Sequence, residues 1–521
     1  MVGLPQSVNW KEPALGTIVT HLFGLWIIYK VLLALYNISP LHPLTRFPGP
    51  RLAAATFMYE AWFDLILGGR YTHEIKRLHG IYGPVVRINP EELHFNDIKF
   101  ADEIYASGGR KRDKPAHYTN FSAGPMSVVS FSTREHNLHR VRRGALNKFF
   151  SKGQISKLEP SIKRLAENLC DKMIRLGDKP FDLAVAYSCF TSDVVSDICF
   201  GEAFGFVAQD LWEPNFKVAL SAILDPIYVI RFISPIRLIF NLAPSLGTIL
   251  DKNFRYLMKE CGERVPNRIR KAYEDQRLGI KRDKSSLFAS MLDSSLPNSE
   301  KTLPRLAAEG LSMLAAGTET TAWALSLITF HLLSQPETLA RLTTELNQAD
   351  ALNMSWFELE KLPYLNAVVS EAIRHGFGVS QRSPRLAPDE TLIYRGHFKG
   401  HNFECIIPPG TPVGMTTAIT NMDENVFPEP KDFVPERWLG LEDSERHKLA
   451  NHVTSFSKGS RQCVGINLAY CKIYLAIVIM TLRVIPRMKL YETTIKDVMY
   501  DCDYFVPRPV RSSKGVRVTV S

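Results

Sequence analysis

Phe456-Ser457-Lys458-Gly459-Ser460-Arg461-Gln462-Cys463-Val464-Gly465 decides the reading of this 521-residue chain, and it runs directly into an apolar, helical stretch, Ile466 to Leu482. Gly459 permits a tight turn, and Gly465 lets backbone approach a flat ligand closely. Cys463 stands just ahead of the helix, where backbone N–H groups and the helix dipole favour a thiolate. Arg461 is placed to meet a carboxylate, and Phe456 can cover the sulfur and exclude water. The chain has eight cysteines and no C-x-x-C pair, so neither a zinc ribbon nor a disulfide scaffold is indicated. A lone cysteine before a helix is ordinarily an inert buried thiol. The fixed spacing of Phe, Gly, Arg, Cys and Gly argues for a ligand here.

Working outward, Leu306 to Leu333 forms a long run of apolar and small residues ending before Pro336. Glu309, Glu319, Thr320, Thr321 and His331 make burial in lipid expensive, so a buried core helix is expected. Ala315-Ala316-Gly317 leaves room for a flat or bulky group beside Gly317, or for close packing of a second helix. Glu319 and Thr320 put a carboxyl and a hydroxyl inside that apolar helix, a pair suited to delivering protons to a metal-bound oxygen species. Downstream, Glu371 and Arg374 stand three apart on a helix. With Arg437, from the Pro-rich stretch Pro435-Glu436-Arg437-Trp438, they can form a carboxylate–guanidinium cluster that pins coil against helix.

The other end of the chain is apolar from Ala14 to Tyr36, long enough to span a bilayer, with Trp26, Tyr29 and Tyr36 as interfacial aromatics and Lys30 placed to snorkel. The expected organisation is a tail at 1–13, a transmembrane anchor at 14–36, a Pro-rich hinge at 37–50 and one catalytic domain at 51–521. Arg46 and Arg51 follow the span while Lys11 and Glu12 cancel before it, which puts the body on the cytoplasmic side. Net charge is +10, from 63 Lys and Arg against 53 Asp and Glu, with no long basic run, so a nucleic-acid partner is not expected. The body reads as mainly α with small β-sheets (α+β): strand–turn–strand over Ile81–Phe95, helices from Arg134 to Tyr364, short strands over Thr391–Val413 and a last strand at Arg517–Val520.

Taken together and in this order, Ala316-Gly317-Thr318-Glu319-Thr320-Thr321, Glu371-x-x-Arg374, Pro435-Glu436-Arg437-Trp438 and Phe456-x-x-Gly459-x-Arg461-x-Cys463-x-Gly465 resemble the cytochrome P450 family over about residues 45 to 520. The resemblance implies the family's fold behind one transmembrane helix, a b-type haem whose iron is bound by Cys463, and monooxygenation using O2. Electrons would come from NADPH through a separate reductase, on the endoplasmic reticulum membrane. It also implies roles for Glu319 and Thr320 in oxygen activation and for Arg461 at a haem propionate. His136 and Arg140 fall where many members have Trp-x-x-x-Arg, and are further propionate candidates, as is Arg382, with Arg385 its rival. The substrate pocket would draw on residues about 112–128, 205–240, 312–321, 375–384 and 503–508. The apolar stretch from Ala219 to Leu242 either lines the substrate entrance or packs in the core. Wording around Phe47-Pro48-Gly49-Pro50 and His139-Arg140-Val141-Arg142-Arg143 is similar to filamentous-fungal, trichodiene-oxygenase-like members, which implies a hydrophobic terpenoid or polyketide-derived substrate. A haem-thiolate isomerase or dehydratase needing no external electrons is the alternative.

Overall fold

The computed structural model describes residues 15–213, 215–236, 238, 255, 259–280 and 286–521. The expected tail, the first residue of the expected anchor and Phe240 of the apolar stretch lie outside these. Helix α1 (Leu15–Ile38) covers the rest of the expected anchor, and most of its apolar side chains from Ile18 to Tyr36 stand exposed. The helices that build the site are α2 (His136–Asn147), α3 (Leu183–Phe200), α4 (Leu303–Ser334), α5 (Pro363–Gly376) and α6 (Ile466–Arg483). Both α3 and α6 are long and apolar enough to cross a membrane, yet they are mostly buried in the main core.

The strands are short and peripheral. A four-stranded sheet runs β1 (Val85–Arg87), β2 (Leu93–Phe95), β7 (Pro412–Gly414), β4 (Arg385–Leu386), with β2 and β7 parallel. The strands β3 (Phe181–Asp182), β11 (Arg517–Val520) and β8 (Met488–Leu490) form a second sheet, in that order. Two hairpins pair β5 (Leu392–Phe398) with β6 (His401–Ile407), and β9 (Cys502–Tyr504) with β10 (Val506–Arg508).

The segment read as a hinge is docked on the body. The Arg87 backbone N–H donates to the Pro48 carbonyl at 2.7 Å, and its buried guanidinium donates to the Asn37 carbonyl at 2.9 Å. Gly49 lies so close to Arg87 that a Cβ there would collide with the Arg87 carbonyl. Proline and glycine thus serve a tight turn against β1, and Leu44 and Phe47 are buried beneath it.

Two polar residues buried inside α4 have specific partners. Glu309 pairs with Arg305 one turn earlier at 2.6 Å and accepts from the Ser130 N–H at 2.9 Å. His331 stacks on Phe433 at 4.2 Å, and burial pushes its pKa down to about 3, so it is neutral.

Candidate active site

The loop ahead of α6 is held by its own backbone. The Cys463 N–H donates to the Phe456 carbonyl at 2.9 Å and the Gln462 N–H to that of Gly459 at 3.0 Å. Gly459 adopts φ +69° with the Tyr105 carbonyl packed against it, so a side chain is excluded there on two grounds. Phe456 lies against Tyr470 at 5.2 Å, and the Cys463 side chain is bare, opening on an internal cavity of ≈ 510 Å3. The protein around this cavity pushes the thiol pKa up, opposed by the Gly465 N–H and by Arg143 and Lys472. A bound metal ion would overturn that balance, since a coordinating thiol is deprotonated outright.

Glu371 anchors the scaffold behind the loop. Its buried carboxylate accepts from Arg374 Nε at 2.9 Å and a second guanidinium nitrogen at 2.6 Å, from Arg437 Nε at 3.0 Å, from Trp438 Nε1 at 2.9 Å and from the Val434 N–H at 3.1 Å. Burial alone would raise its pKa, but Arg374 and the adjacent His375 hold it well below the usual carboxylate range. Arg374 continues the connection to the Asn421 carbonyl at 3.0 Å. The Asn421 side chain donates to Ser455 Oγ at 2.9 Å and accepts from the Thr454 N–H at 3.0 Å, one and two residues before Phe456. A continuous hydrogen-bonded path therefore joins the Glu371 cluster to the cysteine loop.

Across the cavity, α4 contributes Ala315, Ala316, Gly317, Glu319 and Thr320 to the lining. Thr320 donates its hydroxyl to the Ala316 carbonyl one turn back, at 2.9 Å. Burial raises the Glu319 pKa, opposed by Lys217 and Arg508. A Cβ on Gly317 would meet Val195 Cγ2 of α3 at 2.7 Å, so of the two readings open for this glycine the structure favours helix packing. Gly465 is the reverse case: a Cβ there meets nothing within 4 Å, leaving open space over the cysteine loop.

Positive groups gather around the cavity without direct ion pairs among the described residues. Lys114, Arg143, Arg385 and Arg461 all line it, and none is ion-paired to a carboxylate among the described residues. Arg461 donates to the carbonyls of Arg112, Thr133 and Arg134 at 2.7–2.9 Å, and burial, with Arg385 nearby, pushes its pKa down to about 9. Burial pushes Lys114 well down, with Arg385 and Arg461 adding to the effect. Such a group of buried cations is stabilised by an incoming anion. A bare thiol, clearance over Gly465 and these cations fit a planar, dianionic metal cofactor such as haem.

Three expected propionate partners stand elsewhere. His136 is turned behind α2, its N–H on Asp113 at 2.7 Å and its Nδ1 accepting from the Arg112 N–H at 3.2 Å, while Arg140 is exposed. It is His139 and Arg143, three residues on with the same i,i+4 spacing, that line the cavity. Arg382 is enclosed by Glu60, to which it is ion-paired, with Asp64 at 3.8 Å and Glu92 at 3.7 Å. Its rival Arg385 takes the cavity position. Lys114 and Lys472 were not singled out from the sequence; for Lys472 the available signal was a lone lysine within an apolar helix.

Much of the remaining lining is apolar; Tyr118, Phe121, Ile223, Ile227, Ile230 and Phe505 come from the expected segments, while Val195, Ile198 and Met415 come from outside them. Phe505, between β9 and β10, has φ +76°, a strained conformation for a bulky residue, and its ring packs on Phe121 at 5.5 Å and Phe131 at 5.4 Å.

Residues 48–488 match the family model described as Cytochrome P450. A cytochrome P450 monooxygenase of Penicillium brasilianum, pbrB, is 37% identical over 91% of this chain and 92% of its own length. The tryptophan 6-hydroxylase fscE of Fusarium equiseti is 39% identical over 92% of both. The conidiogenone synthase PchP450 of Penicillium rubens is 35% identical over 94% of this chain and 96% of its own length. Likeness of that extent, spanning the cysteine loop, α4 and the Glu371 cluster alike, means that the chain belongs to the cytochrome P450 family of monooxygenases.

Proposed function

We propose that this enzyme inserts one atom of O2 into a hydrophobic small molecule, by hydroxylation or epoxidation, with electrons from NADPH delivered by a separate reductase. The observation that carries this reading is the single cavity in which a bare thiol, an acid–hydroxyl pair and an apolar wall meet. Haem b, when bound, supplies the iron at which oxygen is activated, and a thiolate ligand favours O–O cleavage. Cys463 is the residue to hold that iron, and Lys114, His139, Arg143, Arg385 and Arg461 are those to hold the propionates. Glu319, whose raised pKa lets it keep a proton closer to neutral pH, passes protons inward while the Thr320 hydroxyl orients them. The aromatic and aliphatic wall excludes water and positions the substrate.

The relatives include a tryptophan hydroxylase and a conidiogenone synthase, so kinship supports the reaction class more strongly than any one substrate. The apolar wall favours a terpenoid or polyketide-derived intermediate of fungal secondary metabolism. The exposed apolar α1, followed by Arg46 and Arg51, supports a single-pass anchor in the endoplasmic reticulum with the catalytic domain facing the cytoplasm. The spectrum of the reduced, carbon-monoxide-bound protein tests the core of the reading: a red-shifted, thiolate-type Soret band is expected and is lost in Cys463→Ala. With a reductase and candidate scaffolds, product gaining one oxygen must depend on NADPH. Turnover without NADPH would favour the isomerase or dehydratase reading instead.

A further inference from the structure

Lys472 is a buried lysine that the proposed reaction has not used. Its side chain lies on α6, nine residues after Cys463, within a core of leucine, isoleucine and valine, and it is 1% exposed. Its ammonium donates to the Gly317 carbonyl of α4 at 2.6 Å, and no carboxylate pairs with it among the described residues. Burying an ammonium on one carbonyl is costly, and an alkyl side chain would suit this core better. The lysine does two things that an alkyl chain cannot. It ties the helix that follows the cysteine to the helix that carries Glu319 and Thr320. It also brings to the Cys463 cavity an amine whose pKa burial pushes down to about 7 and the Cys463 sulfur draws back up, so that a thiolate there favours its charged form.

The tie falls at a sensitive place. Ala316 and Gly317 are adjacent, and both carbonyls accept a side-chain donor, Thr320 Oγ1 for the first and Lys472 Nζ for the second. Side-chain bonds to helix carbonyls tend to bend a helix locally, and these two fall one turn or less before Glu319 and Thr320.

We propose that Lys472 is a positioning residue for both halves of the centre, holding the α4 groove through the Gly317 carbonyl and serving as counter-charge to the Cys463 thiolate. The inference rests on the reading of Cys463 as the iron's ligand.

The test uses the full-length, haem-loaded protein and the variants Lys472→Met, which loses charge and donor, Lys472→Gln, which keeps a donor, and Lys472→Arg, which keeps the charge. Removing a cation disfavours the added electron. In Met and Gln the ratio of reduced to oxidised protein at a fixed potential should therefore fall about tenfold, a shift of about 59 mV for one electron, with Arg close to the parent. The share of NADPH electrons recovered in product should fall in Met and be largely kept in Gln. Should both neutral variants fail to retain haem while Arg retains it, the requirement for charge is met in another form. Unchanged potentials and coupling in Met and Gln overturn the proposal. A parent lacking the thiolate-type band removes the Cys463 reading and this inference with it.

Discussion

Replacing Glu371 by glutamine removes one charge and almost no volume from a site with no solvent exposure. Five hydrogen bonds converge on the carboxylate, from Arg374 (two), Arg437, Trp438 and the Val434 N–H. A glutamine accepts through one oxygen only and turns its NH2 group toward donors, leaving the fully buried Arg374 without a counter-charge. Removing one partner of a buried pair costs about 3–5 kcal/mol, a large share of the roughly 5–15 kcal/mol that holds a domain folded. The damage should also travel along the path through Asn421 to Thr454 and Ser455, so haem retention should fail together with stability. Denaturant unfolding and the haem-to-protein absorbance ratio measure the two effects. A Glu371→Gln protein within about 1 kcal/mol of the parent and fully loaded with haem would refute the assignment of this cluster as the scaffold of the cysteine loop. The same carboxylate sets an acid limit. Its folded pKa lies below the unfolded value, so its contribution is complete above the ordinary carboxylate range and is lost as pH falls through the lower, folded pKa.

Other substitutions separate roles that sequence alone leaves mixed. Arg385→Met should accelerate haem loss with little change in apoprotein stability. Arg382→Met, by taking from the buried Glu60 its nearest counter-charge and leaving it His117 and the more distant Arg231, should cost about 3 kcal/mol in unfolding; equal effects of the two would contradict the placement of Arg385 on the cavity. Thr320→Ala should lower product formation about 10²-fold while O2 consumption continues, read by an oxygen electrode alongside product analysis. Gly459→Ala, at φ +69° and against the Tyr105 carbonyl, should cost about 1–2 kcal/mol for the backbone alone and more from the collision. A melting temperature within a degree of the parent would count against that geometry.

Local chemistry made the centre readable and long-range geometry limited the rest. The cysteine loop, α4 and Glu371-x-x-Arg374 are short patterns whose parts lie within a few turns of one another. The propionate side was less legible because α2 carries His and Arg at i,i+4 twice, at 136 and 140 and at 139 and 143, and only packing decides which face looks inward. Arg382 and Arg385 are likewise three residues apart. The partner that claims Arg382, Glu60, lies 322 positions away, beyond any local pattern. Gly317 could serve a ligand or a neighbouring helix until Val195 was seen against it.

The docked linker has a practical consequence for anyone preparing a soluble form. Trimming the chain at Pro50 discards more than the exposed apolar helix: it strips a guanidinium that is 2% exposed of the Asn37 carbonyl, and β1 of its bond to Pro48. The natural place to cut lies ahead of Asn37, where the protein gives up most of its exposed apolar helix and keeps its first sheet intact.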